Sequence, residues 1–363
     1  MRNYSVKVIR PKVMQMITMD DRGRGITALS AYLFGQGLEY FFRLTNAQTC
    51  SLSSDADLFE ERSYTIDGFA EYLTPYIDAP EEFFACFRDV QSVSVREGRH
   101  PRAKCRRTTD YDEMLLDSPV QTRWPENNLV PFKWFRSSSA TTALLFAPGW
   151  GRRGQSVEED MCRRLRQHGV DVALLTVPFH QARTPAKSFN GEYFISANLF
   201  LTIQNFRQFV AEIRLVTQFL RTRYEQLGII GMSSGGFQAG LAAICEPFDY
   251  LFPVITGCHL ASIAWHGWNT QFLRRDLEHR GITEQGFARA WQIIDLAVVG
   301  HHCQAKIIKN YIALHDRVIP TRYQFDLWRV YGQPAHMLLP ASHYSSYFYR
   351  HEVVDDIARV VLE

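Results

Sequence analysis

The stretch Gly231-Met232-Ser233-Ser234-Gly235-Gly236, entered directly from the apolar run Leu227-Gly228-Ile229-Ile230, constrains this chain more than any other feature. An apolar run closed by G-x-S-x-G reads as a strand, a sharp turn and the start of a helix. The turn is so tight that side chains at its flanking positions would collide, so glycine fills them. Strain lifts Ser233 Oγ off the sheet edge. The following helix turns its free N–H groups and positive dipole end toward the same spot. A serine nucleophile needs this setting. A glycine-rich strand-to-helix turn without chemistry would carry the same letters, so the surrounding pattern has to decide.

That pattern is an alternation of apolar strands and amphipathic helices. Thr142–Ala147 is a continuous apolar run, as buried parallel strands are. Ser156 to His168 reads as a helix with Val157, Met161 and Leu165 on one face. Val170 to Val177 is the next strand. A long helix follows, with Leu199, Ile203, Phe206, Val210, Ile213, Val216 and Leu220 at three- and four-residue spacing. After the Ile229 strand and the Ser233 turn, further strands are expected at Leu251 to Thr256, Ile307 to Leu314 and Ala335 to Leu339, and a final helix from Glu352 to Leu362. Ahead of these, Glu113–Leu116 and Val130–Phe135 bracket a polar turn at Pro125–Asn128. Such alternation implies an α/β domain, a mostly parallel central sheet with helices on both faces. The domain is expected over 111–363.

Residues 1–110 read as a mostly helical N-terminal extension. Ile26 to Phe42 has helical character, and Thr65 to Tyr76 and Pro80 to Phe87 read as two further helices, with Pro80 suited to a first turn. The extension is a candidate dimerisation arm, which makes a homodimer one expectation, or part of a substrate cap. Its end carries the basic run Arg99-His100-Pro101-Arg102-Ala103-Lys104-Cys105-Arg106-Arg107, which reads as a solvated loop because no aromatics interleave it. With 40 basic against 38 acidic residues, no global charge calls for nucleic acid. Seven cysteines, an odd number without a CxxC pair, argue against a disulfide framework and for reduced thiols in a cytoplasmic protein. Pro11 and neighbouring charges interrupt any signal-type apolar core, and no run approaches membrane-spanning length.

A serine nucleophile needs a base, and the base needs an orienting carboxylate. Sites in open parallel sheets form beyond the carboxyl ends of strands. His315-Asp316-Arg317-Val318-Ile319-Pro320 follows the Ile307 strand, and Pro340-Ala341-Ser342-His343-Tyr344 follows the Ala335 strand. Nucleophile, acid and histidine thus occur in the order Ser, Asp, His.

On these residues, the elbow at 231–236, Asp316 in an Asp-x-Val-x-Pro context and His343 after the last strand, the chain from about Tyr111 onward resembles the α/β-hydrolase superfamily of serine esterases and acyl hydrolases. The resemblance implies the α/β-hydrolase fold and a catalytic triad of Ser233, Asp316 and His343. It also implies an oxyanion hole from two backbone N–H groups, that of Ser234 and one from the loop Ala147-Pro148-Gly149-Trp150-Gly151, assigned to Trp150. Where relatives often carry His-Gly in that loop, this chain has Pro148-Gly149, which leaves the backbone donor but no histidine.

Pro178-Phe179-His180-Gln181-Ala182-Arg183 is similar to a loop of several esterase and peptidase branches. It makes His180 a candidate for the pocket mouth, against a structural turn in which Arg183 pairs with a carboxylate. The stretch of about 257–305 is where this fold inserts a helical cap. Its aromatics, Trp265 and Trp268 among them, are candidates for an apolar acyl pocket or for ordinary packing. His301-His302-Cys303 lacks a second ligand cluster, so no metal is expected, and no cofactor. The expected activity is cleavage of a carboxylic ester or thioester of a small-molecule acyl substrate through an acyl-enzyme. An acyltransferase with the same triad and a non-catalytic binding protein on a hydrolase scaffold are the rival readings.

Overall fold

Among the described residues, nine strands form one sheet: β1 (Lys104–Arg107), β2 (Asp112–Asp117), β3 (Leu129–Phe135), β4 (Thr142–Ala147), β5 (Asp171–Leu175), β6 (Gln226–Met232), β7 (Tyr250–Val254), β8 (Ile307–Ala313) and β9 (Ala335–Leu339). The computed structural model describes Gln36 and residues 66–84, 104–151 and 154–363. The strand order is β1-β2-β3-β5-β4-β6-β7-β8-β9. The pairs from β1 through β3 to β5 are antiparallel, and all later pairs are parallel. At the centre, Leu145 of β4 stands level with Ala173 of β5 and Ile229 of β6.

Helices cover both faces. In chain order they are α1 (Ile66–Leu73), α2 (Pro80–Phe84), α3 (Ser156–Gln167), α4 (Leu199–Arg221), α5 (Gly235–Cys245), α6 (Leu260–His266), α7 (Gln271–His279), α8 (Glu284–Ala290), α9 (Leu296–Val299), α10 (Thr321–Val330) and α11 (Arg350–Leu362). Side chains of a strand alternate between faces, so β4, buried throughout, feeds two cores. Leu144 and Phe146 meet Met161 and Leu165 of α3 and Val354 and Ile357 of α11. Ala143, Leu145 and Ala147 meet Ile203 and Phe206 of α4 and Phe237 and Leu241 of α5. Asn198 caps α4 by accepting from Leu201 N–H at 3.0 Å, which satisfies one of its orphan donors. On the opposite face, Arg164 clamps α3 to Asp355 of α11 with two bonds of 2.6 Å. No helix among the described residues is long and apolar enough to cross a membrane.

The structure departs from expectation at the start of the sheet. The basic run was expected to be a solvated loop, yet Lys104–Arg107 is an edge strand paired with β2. The side chains described on it are solvated all the same. Cys105, Arg106 and Arg107 are exposed, and Arg106 and Arg107 reach Glu113 at 3.7 Å and Asp112 at 4.0 Å. A charged edge strand lacks the apolar alternation that marks a buried one. The sheet therefore begins before the expected boundary at 110. In the expected helix over 65–76, α1 ends at Leu73, and Pro75 lies in a 3₁₀ turn over Thr74–Tyr76. The expected strand to Thr256 stops at Val254, because Ile255 takes φ 46°. The helix expected over Ile26 to Phe42 lies outside the described residues except for Gln36, which is helical and donates from Nε2 to His315 O at 3.3 Å.

Between β7 and β8 the chain builds α6 to α9. α8 lies against α1, with Arg289 on Asp67 at 2.5 Å. The insertion thereby joins the part of the chain that precedes the sheet.

Candidate active site

The parallel strands β4 to β9 deliver six loops to one edge of the sheet, and the site is assembled from them. After β6, Ser233 takes φ 55°, a left-handed conformation that costs a non-glycine residue about 1–3 kcal/mol. The elbow has no room for side chains on either flank. A Cβ on Gly235 would lie 2.1 Å from Ala147 O, and one on Gly231 would lie 2.5 Å from Gly236 Cα. The strain is held by bonds on both sides of the residue. Ser233 N–H donates to Val254 O at 2.9 Å, and Thr256 Oγ1 donates to Ser233 O at 2.8 Å.

The structure brings Ser233, His343 and Asp316 together. Ser233 Oγ lies 2.9 Å from His343 Nε2, and His343 Nδ1 lies 2.7 Å from Asp316 Oδ2. An ionised carboxylate only accepts, so Nδ1 carries the proton and Nε2 faces the serine as an acceptor. Asp316 is buried and fully engaged. Its Oδ1 accepts from Val318 N–H and Ile319 N–H, both at 2.9 Å, and its Oδ2 also accepts from Gln324 Nε2 at 2.9 Å. The His343 loop is pinned from within, by Ser346 Oγ on His343 O at 2.6 Å and Ser342 N–H on Ser345 Oγ at 2.8 Å.

Gln324 had no signal in the sequence. It lies on α10 and is completely buried. Besides Asp316, its Nε2 reaches Ile319 O at 2.9 Å, and its Oε1 accepts from Ala313 N–H at 3.0 Å. A lone glutamine in a helix gives no hint of this, because its partners are fixed only when β8 and α10 are packed together.

The loop after β4 approaches the elbow closely, and Gly149 lets it do so. A Cβ there would meet Ser233 Cβ at 3.3 Å. Trp150 N–H donates to Ser234 Oγ at 2.6 Å. The next N–H, that of Gly151, donates to His180 Nε2 at 2.9 Å.

His180 therefore does not stand at a pocket mouth. It is 2% exposed, its Nδ1 donates to Pro178 O at 2.8 Å, and it does not line the cavity. Burial, with a smaller contribution from the nearby Arg183 charge, lowers its pKa to about 4. The neutral ring holds the loop after β4 from behind. Arg183 sits in a buried cluster, the structural alternative raised for it above. It makes two 2.7 Å bonds to Glu212 of α4 and donates to Thr176 O and Asn127 O at 2.9 and 3.0 Å. Asn127 returns Nδ2 to Arg183 O at 2.9 Å.

A cavity of about 150 Å³ opens beside Ser233 and His343. Its apolar wall includes Phe237, Leu260, Ile263, Ala264, Val318 and Ile319. Trp265 and Trp268, candidates for the pocket or for ordinary packing, lie outside the lining. Trp265 is buried in the body of the insertion, against Phe287 at 6.0 Å and under the Arg274 guanidinium at 5.5 Å. On α6, Ile263 and Ala264 face the cavity and the bulkier Trp265 turns into the core, where it buries more apolar area. The His301 and His302 rings lie 4.1 Å apart with their planes tilted by 40°, and no group of three His, Cys, Asp or Glu among the described residues is placed to hold a metal ion.

No protein-family model matches the chain, and no curated protein matches it by sequence. Solved structures share its fold. An acetyl xylan esterase from Paenibacillus sp. R4 superposes with a TM-score of 0.56 at 16% identity, covering 85% of this chain and 99% of the other. Acetyl xylan esterase 1 from Thermoanaerobacterium sp. JW/SL YS485 gives 0.55 at 13% identity, covering 80% and 99%. The acylaminoacyl peptidase of Pyrococcus horikoshii gives 0.52 at 11% identity, covering 70% of this chain and 41% of its own.

Proposed function

We propose that this chain, which has the α/β-hydrolase fold, is a serine hydrolase that cleaves a carboxylic ester through an acyl-enzyme. The observation that carries the reading is the unbroken relay from Ser233 Oγ through His343 to Asp316, with links of 2.9 and 2.7 Å. His343 Nε2 takes the proton of Ser233 as Oγ attacks the acyl carbon. Asp316 holds the imidazole in the tautomer that can accept, and stabilises the imidazolium. His343 then returns the proton to the departing alkoxide, the acyl carbon–oxygen bond breaks, and a water repeats the sequence to free the acid.

Negative charge develops on the carbonyl oxygen beside Ser234 and Trp150. At the start of α5, Gly236 N–H and Phe237 N–H donate to Ser233 O and Ser234 O, both at 3.1 Å, and the positive end of the helix lies beside Ser233. The apolar walls from α6 and from Val318 and Ile319 suit the acyl side, and a cavity of about 150 Å³ that also holds the polar groups of Ser233, Ser234 and His343 suits a short acyl group. Two of the structures that share the fold are acetyl xylan esterases, in keeping with a short acyl group.

The test is a fluorophosphonate label together with hydrolysis of p-nitrophenyl esters of increasing acyl length. Labelling at Ser233 and turnover, both lost in Ser233→Ala, are expected. A wild-type protein that neither labels nor turns over esters would overturn the reading in favour of a binding role. Product that appears only when an acceptor alcohol or amine is added would replace hydrolysis with acyl transfer.

A further inference from the structure

We propose that the hydroxyl of Ser234 is itself an oxyanion donor, with Trp150 N–H standing behind it as the group that polarises it. This rests on the reading of Ser233 as the nucleophile. An amide has one hydrogen, and Trp150 N–H gives its hydrogen to Ser234 Oγ at 2.6 Å. The neighbouring Gly151 N–H is committed to His180 Nε2 at 2.9 Å. Two amides of the loop after β4, those of Trp150 and Gly151, are thus used inside the protein.

The loop is not poised to withdraw. Trp150 Nε1 donates to Gly191 O at 2.9 Å, and the room beside Gly191 is filled, since a Cβ there would lie 2.7 Å from His180 Nε2 and 3.0 Å from Trp150 Nε1. Trp150 and His180 therefore lock the loop after β4 against the loop after β5.

The hydroxyl, by contrast, has a proton to give. A serine oxygen that accepts one bond keeps one donor. Among the described residues no protein group accepts from Ser234 Oγ, and Ser234 lines the same cavity as Ser233. A hydroxyl that already accepts an N–H is a better donor, because hydrogen bonds in a chain polarise one another. Its bond to a developing oxyanion is charge-assisted and shortens as charge grows, so it favours the transition state over the ground state. The second donor of the oxyanion hole is then a side chain relayed from the backbone, and Trp150 acts as a positioning residue.

The test compares wild type with Ser234→Ala, Ser234→Thr and Ser233→Ala, using p-nitrophenyl butyrate and a trifluoromethyl ketone that forms a hemiketal oxyanion with the nucleophile. In Ser234→Ala, kcat should fall by ~10- to 100-fold with KM within about threefold, somewhat less than for a direct donor because the amide behind is uncovered. Ketone affinity should weaken in step with kcat, which a purely structural role would not produce. Ser234→Thr, which keeps the hydroxyl, should retain most activity and tight ketone binding. An Ala variant with equal or higher kcat would overturn the proposal and make the hydroxyl a plug over Trp150 N–H. If wild type matches Ser233→Ala in every assay, the nucleophile reading itself falls, and this one with it.

Discussion

Gly151 N–H donates to Nε2 of His180 at 2.9 Å, so the loop that faces Ser233 is held by a neutral imidazole on the neighbouring loop. A protonated ring would present N–H to N–H and break that bond. Burial lowers the pKa of His180 to about 4, against an ordinary value of 6.5. The unfolded chain therefore binds more protons than the native one between those values, and stability is present above pH 6.5 and lost as pH falls toward 4. Between pH 6.5 and 5 the loss from this group is on the order of 2 kcal/mol. His180→Phe should cost about 1–3 kcal/mol at pH 7, because Gly151 N–H is left without an acceptor. It should also flatten the decline on the acid side. Urea melts at pH 7, 6 and 5 give the comparison, and an equally steep acid decline in the variant would remove His180 as the source.

Asp316→Asn and Gln324→Leu test the two ends of the buried support for His343. Asp316→Asn should lower kcat by ~10²- to 10⁴-fold at neutral pH, because an amide that donates to His343 stabilises the wrong tautomer. Gln324→Leu removes one of the donors on Asp316 Oδ2 and leaves the carboxylate in place, so kcat should fall by only about 10-fold. KM should stay within about twofold in both if the lost interaction acts in the transition state alone. Steady-state kinetics on one ester decide it, and wild-type turnover in Asp316→Asn would hand the role to another carboxylate.

The Arg183–Glu212 pair is 1% and 0% exposed at its two side chains, so breaking it leaves a buried charge. Glu212→Gln should destabilise the protein by about 3–5 kcal/mol. Ser118→Ala, which removes one neutral donor to the same carboxylate at 2.8 Å, should cost about 1 kcal/mol. Chemical denaturation of both variants measures the ratio, and equal costs would mean that Glu212 is protonated in the fold.

Adjacent residues of α6 should give opposite phenotypes. Ala264 lines the cavity, so Ala264→Leu should depress kcat/KM for hexanoyl and octanoyl esters far more than for acetyl, by about 1–3 kcal/mol per excluded group. Trp265 is buried outside the lining. Trp265→Ala should cost about 3–5 kcal/mol of stability and scale all acyl lengths alike. An uneven acyl profile in Trp265→Ala would return that indole to the pocket.

Most of the scaffold was legible in the sequence because its signals are local. The run over 142–147 reads as a strand buried on both faces, and the glycines at 231 and 235 read as a tight turn, where the structure leaves no room for Cβ atoms. The order of Ser233, Asp316 and His343 followed from loops that end neighbouring strands, so the pattern that predicts the strands also predicts where the loops converge. What failed to show was decided by contacts between elements. A charged edge strand at 104–107 has no apolar alternation to announce it. His180 reads alike as a pocket residue or a brace until the loops after β4 and β5 meet and bury it. Trp265 and Ala264 sit on one short helix, and only the packing of α8 beneath α6 sends the indole inward and the methyl toward the cavity beside Ser233. Gln324 and the Ser234 hydroxyl are ordinary polar side chains whose meaning lies wholly in the partner across the fold. The sequence alone determined the order of elements and the chemistry they could carry. Tertiary structure decided which polar groups hold that chemistry in place, because a hydrogen bond between distant residues has no period and no neighbour in the chain to signal it.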